Sequence, residues 1–281
     1  MNAATIDFWR QVGIFSTEAV PSTTLHPSSS RMLNSNGYKL APAISVVVPV
    51  KNEAGNVTPL VAEIAAALRG RDFEVVYVND GSQDETETEL LGLMAHSPWL
   101  RLIRHDKTYG QAAAIRTGVA MARAPVVVTL DGDCQNDPAV IPTMIAMLEA
   151  GAPQLGLVAA PRIGRKATGF KKLQSRVANY VRAGVLKDRT HDTGCGLKAF
   201  RRDVFLSLPY FDGLHCFLPA LLRREGFDVD YVDVVDRPRI RGVSNYGLWD
   251  RVWVGILDMA GVWWLIRRTT RVRSKEVTIV R

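Results

Sequence analysis

Apolar residues along this chain come in short dense runs, separated by stretches with helical spacing. Ile44 to Val50 reads ISVVVPV, a β-branched run suited to a strand buried on both faces. Thr58-Pro59 predicts an N-cap followed by proline at the first helical position, with helix to Leu68. Phe73 to Val78 reads as the second strand, Glu85 to Met94 as helix, and Leu100 to Ile103 as a short third strand. Gln111 to Ala122 follows as helix, then VVVTL at Val126 to Leu130 as another buried strand. Pro138 to Glu149 reads as helix and Leu157 to Ala160 as strand. Strand starts recur at roughly 25–30 residues, the length of a βα unit. Such spacing predicts a parallel sheet covered by helices on both faces. The repeat is supersecondary and not a solenoid, because the helices and turns share no sequence.

The pattern changes after Pro161. A basic helical segment, Lys171 to Leu186, leads into HDTGCGLKAFRRDVF and a second half of mixed elements. Tyr246 to Arg268 reads as a tryptophan-rich helix. Met1 to Leu40 is poor in periodic apolar residues, and PSTTLHPSSS within it is turn-rich. It is expected to be a loose extension, with any helix confined to Ile6 to Phe15. The expected organisation is an extension over 1–40, an α/β domain over 41–245, and a helix and tail over 246–281.

Composition narrows the partners. The chain has 281 residues, 47% of them hydrophobic, enough for one large α/β core. Its net charge of +7 suggests an anionic partner: nucleic acid, a phosphorylated substrate or an acidic membrane surface. The excess lies mainly in Arg162 to Arg189 and Arg237 to Arg281, each of which also reads as a solvated basic face. Three cysteines, Cys134, Cys195 and Cys216, show no CxxC or zinc spacing, so a reduced compartment and packing roles are expected. Met1 to Arg10 lacks a basic segment followed by an apolar core, so no secretory signal is expected. No run reaches the roughly 20 apolar residues of a membrane span. The nearest, Val252 to Ile266, is short and carries Asp258. A soluble or peripheral protein is expected.

In parallel α/β sheets, ligands lie beyond the carboxyl ends of the strands. Three polar clusters occupy such positions: Pro49-Val50-Lys51-Asn52-Glu53, Asn79-Asp80-Gly81-Ser82 and Asp131-Gly132-Asp133-Cys134-Gln135. Asp131 and Asp133 flank a glycine, and two carboxylates this close repel unless a cation lies between them. Mg2+ or Mn2+ suits such a pair, with water and substrate phosphate completing the shell. A solvated acidic turn is the alternative reading. There is no GxGxxG after a strand and no GxxxxGK[ST], which argues against a dinucleotide enzyme and a P-loop ATPase.

VVVPVKNEAGN, VVYVNDGSQDET and TLDGDCQNDP, in this order and spacing, resemble family 2 glycosyltransferases with the GT-A fold, an α/β, Rossmann-like, mostly parallel sheet with helices on both faces. Within the family the closer resemblance is to polyprenyl-phosphate sugar synthases of the dolichol-phosphate mannosyltransferase type. GQAAAIRTGVAMA, DTGCGLKAFRR and RPRIRGVSNYG support it, and the match covers roughly Ile44 to Leu265. The resemblance implies that Pro49, Asn52 and Glu53 line the base and ribose pocket, with Asp80 close to the nucleoside. It implies that Asp131, Asp133 and Gln135 hold the metal. Arg162, Lys171, Ser175 and Arg241 would meet the acceptor phosphate or the diphosphate, Asp192 would stand near the sugar, and Ser244 near the phosphates. Catalysis would rest on Asp131, Asp133, Asp192 and Arg241. The chain departs from the family at Gly242-Val243-Ser244-Asn245, where lysine usually follows serine, and at His215-Cys216-Phe217, where related sequences read His-Arg-Phe.

The function so implied is inverting transfer of a sugar from a UDP- or GDP-linked donor to a polyprenyl phosphate, giving a lipid-linked sugar for cell-envelope glycan or glycolipid modification. The expected place is the cytoplasmic face of the inner membrane, as a peripheral protein. Trp249, Trp253, Trp263 and Trp264, followed by Arg267, Arg268, Arg271, Arg273 and Lys275, fit an interfacial amphipathic helix on an anionic membrane surface. A core helix is the alternative, and a small integral-membrane partner is compatible with either. Competing functions are a glycosyltransferase with a non-lipid acceptor and a nucleotide-sugar-binding protein of reduced activity. Nucleic-acid binding is not expected, since the basic residues carry no binding motif. His191 and His215 read as hydrogen-bonded structural residues.

Overall fold

The apolar runs alternate between two faces, and this alternation builds the domain. The computed structural model describes residues 41–163, 182, 184–186, 194–235, 237 and 248–268. The chain divides into two units, Met1–Leu40 and Ala41–Arg281, and all described residues belong to the second. Its strands are β1 (Ile44–Val50), β2 (Phe73–Asn79), β3 (Leu100–Arg104), β4 (Val126–Thr129), β5 (Leu155–Ala159), β6 (Arg162–Ile163), β7 (Lys198–Arg201), β8 (Asp228–Tyr231) and β9 (Val234–Val235). Seven form one sheet in the order β3-β2-β1-β4-β7-β5-β8, and β6 pairs with β9 separately. β1 pairs in parallel with β2 and β4, β2 with β3, and β5 with β8. β7 is antiparallel to β4 and β5 on either side. The parallel βα pattern is therefore as the sequence predicts, with one reversed strand inserted.

Seven helices complete the described fold: α1 (Val57–Ala67), α2 (Thr86–Met94), α3 (Gln111–Met121), α4 (Ile141–Ala150), α5 (Arg202–Ser207), α6 (Leu214–Glu225) and α7 (Leu248–Arg267). Val46, Val48, Val75, Tyr77 and Val128 point into one core with Leu60 and Ile64 of α1, Leu90 of α2 and Met144 and Ile145 of α4. Val47, Val76, Val78 and Val127, the intervening positions, point into the other core with Ile115 of α3, Phe205 of α5, and Phe217 and Leu221 of α6. Each fully buried valine or leucine contributes roughly 1.5–3 kcal/mol, so the two-sided burial dominates the fold's stability. α1 begins two residues earlier than predicted, at Val57, with Asn56 before it. The Asn56 amide donates to Glu53 Oε2 (2.7 Å), which anchors the helix start and leaves Pro59 inside the first turn, where no N–H is needed.

At the amino edge of the sheet, buried Glu74 accepts from Ser45 Oγ (2.7 Å), Arg101 Nη1 (2.8 Å) and the Arg123 N–H (2.7 Å). A fully occupied carboxylate of this kind is structural. The predicted basic helix over 171–186 lies largely outside the described residues, though 184–186 are helical; the extension over 1–40 lies wholly outside them.

α7 packs its inner face on the second core through Val262, Met259, Leu265 and Ile266. Arg224 Nε of α6 donates to the Leu265 carbonyl (3.2 Å). Its outer face carries exposed Val254, Ile256, Leu257, Trp263 and Trp264. The guanidinium of Arg267 stacks over Trp263 at 4.3 Å. No described helix is long and apolar enough to cross a membrane.

α3 crosses the sheet at Gly118, where an added Cβ would lie 2.3 Å from Val47 Cγ1 and 3.0 Å from Val78 Cγ2. Gly118→Ala is expected to destabilise the protein by about 1–3 kcal/mol, although alanine gains about 1 kcal/mol in helix propensity. Urea denaturation of the two proteins measures the difference.

Candidate active site

The loops after β1 and β2 are laced together by side chains. Asn52 adopts φ 56, a left-handed conformation that asparagine tolerates better than most residues. Its N–H donates to Ser82 Oγ (3.0 Å), and its Oδ1 accepts from the Gln83 N–H (2.8 Å). The N–H groups of Glu53, Ala54 and Gly55 donate to Thr86 Oγ1 (2.8 Å), Asp84 Oδ2 (3.0 Å) and Glu89 Oε1 (2.7 Å). Asn52 and Glu53 thus stand on a loop whose backbone donors are already satisfied, and Pro49 lies at the end of β1 just before it.

Asp80 follows β2 and is buried. Its Oδ1 accepts from the Tyr109 N–H and meets His105 Nδ1, each at 2.8 Å, and its Oδ2 accepts from the Gly110 N–H at 2.8 Å. Its carbonyl accepts from Thr108 Oγ1 (3.0 Å). Gly81 has φ +72, and a Cβ there would lie 2.9 Å from Thr108 N. Asp80 therefore holds the 105–110 loop and the start of α3, which in turn presents Gln111.

Gln111 Nε2 donates to Asp131 Oδ1 (2.8 Å), and the Gly196 N–H donates to Asp131 Oδ2 (3.1 Å). Asp131 keeps part of its surface open, yet protein encloses it on most sides. Burial first, and then the charge of Asp133, push its carboxyl above the usual range; Lys198 and Arg162 pull the other way. Asp133 is buried, and its Oδ1 accepts from the Gln135 N–H (3.1 Å). Directly after Asp133, Cys134 has φ 60 and donates through Sγ to the Asn56 carbonyl (3.4 Å). Gly132 is pressed on β1, where a Cβ would lie 2.6 Å from Val50 Cγ1. Gln135 Nε2 reaches the Arg237 carbonyl (3.4 Å), and Arg237 pairs with Glu63 and Asp137, each at 2.7 Å, bracing the turn from outside.

The donor set fits a hard divalent cation. Two crowded carboxylates and an amide oxygen are oxygen ligands, and among the described residues no group of three or more His, Cys, Asp or Glu forms a complete metal cage. Mg2+ and Mn2+ are bound in this incomplete way, with water and phosphate filling the remaining positions.

On the other side of Asp131 lie Arg162 of β6 and Lys198 of β7, whose charges both bear on it. Lys198 is 3% exposed, and its ammonium donates to the Cys195 carbonyl. His215, on the first turn of α6, has a buried Nδ1 without a hydrogen-bond partner. Asp192, Lys171, Ser175, Arg241 and Ser244, as well as His191, lie outside the described residues. Pattern reading missed Gln111, Lys198 and Arg237. Gln111 and Lys198 sit inside a helix and a strand, and Arg237 acts mainly through backbone and ion pairs.

The glycosyl transferase family 2 model matches residues 45–208. Dodecaprenyl-phosphate galacturonate synthase of Rhizobium johnstonii is 33% identical over 234 residues, 81% of this chain and 68% of that one. Undecaprenyl-phosphate 4-deoxy-4-formamido-L-arabinose transferase of Pectobacterium carotovorum is 33% identical over 207 residues, 72% of this chain and 62% of that one. The chain therefore belongs to glycosyltransferase family 2. Glucosyl-3-phosphoglycerate synthase from Mycobacterium tuberculosis, solved with Mn2+, UDP-glucose and phosphoglyceric acid, superimposes with a TM-score of 0.60 at 20% identity over 80% of this chain and 79% of that one. This likeness shows the shared GT-A fold.

Gly196 has no room for a side chain, because a Cβ would lie 2.1 Å from Asp131 Oδ1. Gly196→Ala is expected to displace the carboxylate and lower sugar-transfer kcat by at least about tenfold, with melting temperature nearly unchanged. Single-turnover kinetics beside a thermal melt checks this, and a large loss of stability with normal kcat contradicts it.

Proposed function

We propose that this glycosyltransferase moves a sugar from a nucleoside-diphosphate sugar to a polyprenyl phosphate. The observation that carries the proposal is the Asp131–Asp133 pair at the carboxyl edge of the sheet, braced from both sides and incomplete as a cation site without phosphate oxygens. Relatives at about one-third identity that are named for polyprenyl-phosphate substrates support the acceptor class. A UDP or GDP donor and inversion at the anomeric carbon belong to the same proposal. Transfer to a non-lipid acceptor, and nucleotide-sugar binding with reduced activity, are the outcomes that its tests would expose.

Each group has a distinct task. Pro49, Asn52 and Glu53 form the nucleoside wall, and Asp80 keeps the adjoining loop and Gln111 in place. Asp131, Asp133 and Gln135 hold Mg2+ or Mn2+, which when bound neutralises charge on the departing diphosphate as a Lewis acid. Arg162 lies on the far side of Asp131, where a second anion must approach the first; Lys171, Ser175, Arg241 and Ser244 are assigned to the same anions, and Asp192 to the sugar. A phosphate monoester has a second pKa of roughly 6 and is mostly dianionic at neutral pH. It attacks without a general base, so the protein's work is charge neutralisation and alignment. The outer face of α7 is assigned to the interface of an anionic membrane, on the cytoplasmic side where nucleotide-sugars occur.

Asp131→Asn and Asp133→Asn are each expected to lower kcat by at least about a hundredfold while the melting curve holds, because each removes a ligand charge. EDTA should abolish turnover, and added Mg2+ or Mn2+ should restore it. The readout is lipid-linked sugar formed from nucleotide-sugars and undecaprenyl phosphate, and full turnover in EDTA overturns the metal role.

For α7, Trp263→Ala with Trp264→Ala should release the protein from anionic vesicles at all salt concentrations. Reversing Arg267 and Arg268 should weaken attachment mainly at low salt, since each basic residue contributes roughly 1 kcal/mol at such a surface. Vesicle sedimentation measures both, and unchanged sedimentation of both variants rules out the interfacial assignment.

A further inference from the structure

Lysine is rarely buried without a counter-charge. Lys198 is 3% exposed and lies in the middle of the sheet, paired with Thr129 of β4 and Ala159 of β5. Its ammonium has three N–H donors, and among the described residues one acceptor is found for them, the Cys195 carbonyl. Its charge reaches Asp131, His215 and Cys216. His215 beside it has a buried Nδ1 with no partner. An unpartnered buried polar atom costs about 1–3 kcal/mol, so two under-satisfied polar groups near enough for the charge of one to act on the other mark a place where a ligand completes the bonding. Burial, and then Lys198, push His215 down to about 4, so its imidazole is neutral at physiological pH and offers a hydrogen bond without charge.

Position along the sheet identifies what arrives there. The strand order runs β2, β1, β4, β7. On the proposed reading, the ends of β2 and β1 face the nucleoside and the end of β4 faces the diphosphate. The sugar, attached beyond the diphosphate, then falls beside the start of β7, where Gly196 touches Asp131 and Lys198 follows. In the free protein Asp131 is a counter-charge for Lys198. Once Asp131 is shared with a metal ion, the buried ammonium is left with a carbonyl and needs a new anion.

We infer that Lys198 and His215 form the sugar subsite and that it selects a donor sugar bearing a carboxylate, a hexuronic acid. The ammonium takes the carboxylate as an ion pair, and the neutral imidazole gives it a second hydrogen bond. A neutral hexose offers only hydroxyl oxygens and leaves the ammonium without a counter-ion. This inference rests on the chain being a nucleotide-sugar transferase, as proposed above.

The test uses the full-length protein with undecaprenyl phosphate vesicles and matched donor pairs: UDP-glucuronate with UDP-glucose, UDP-galacturonate with UDP-galactose, and GDP-mannuronate with GDP-mannose. One uronate is expected to exceed its matching hexose in kcat/KM by at least about tenfold. Lys198→Met should lower the uronate value at least about tenfold more than the hexose value, so the ratio collapses. Lys198→Arg should restore part of the preference, and His215→Phe should lower it. A purely structural lysine would affect both donors of a pair alike. Wild-type protein that uses the hexoses as well as the uronates overturns the inference, whether or not Lys198→Met folds. If no donor is turned over, the polyprenyl-phosphate reading fails instead. Calorimetry with the same pairs then decides the subsite, and equal affinity for uronate and hexose overturns it.

Discussion

Mutual repulsion between Asp131 and Asp133, both drawn partly out of water at the end of β4, is the constraint around which the carboxyl edge is organised. Burial and the neighbouring charge both act against ionisation of Asp131. The surroundings answer with donors that do not move: Gln111 at the start of α3, the Gly196 N–H ahead of β7, and the Gln135 N–H on Asp133. Those donors depend on other contacts in turn. Gln111 is presented by a helix whose start is fixed by Asp80, and the turn itself is wedged on Val50 and braced by Arg237. The opposite edge shows the contrast, for Glu74 there is saturated by three donors and has nothing left to offer a ligand.

The edge is graded along the strand order. Loops laced together by side chains lie after β2 and β1, two crowded carboxylates after β4, and cations beside β7 and β6. A cation held at the carboxylates would turn the middle of this edge from repelling a diphosphate to attracting it. α7 stands apart from the gradient: one side is anchored in the core by Val262, and the other shows apolar and aromatic side chains topped by guanidinium groups.

The parallel core was legible because its strands are buried on both faces and read as unbroken apolar runs. ISVVVPV and VVVTL match β1 and β4 to within a residue. The place of Asp131 and Asp133 was legible because residues directly after such a strand fall at the carboxyl edge of the sheet. Three features were hidden. The reversed direction of β7 is set by pairing with strands distant in sequence, and KAFR has no local mark of it. The cap of α1 was misread because Thr58-Pro59 is a strong local signal, whereas Asn56 is held by Glu53 in the folded loop. Lys198 looks like an ordinary strand-edge lysine in the sequence, and only the sheet on both sides of it makes it a buried cation.

The reversal of β7 has a further consequence. β5 and β6 deliver the chain to the carboxyl edge at Ile163, and β7 starts from that same edge at Lys198. The intervening stretch leaves and re-enters the sheet on one side, so its ends are set by the strands and not by its length. A change of length within residues 164–181 would leave both strand ends where they are, whereas Leu186, Cys195 and Gly196 are tied into the core and the site. A scaffold wired this way can change the connection between β6 and β7 without reordering its strands.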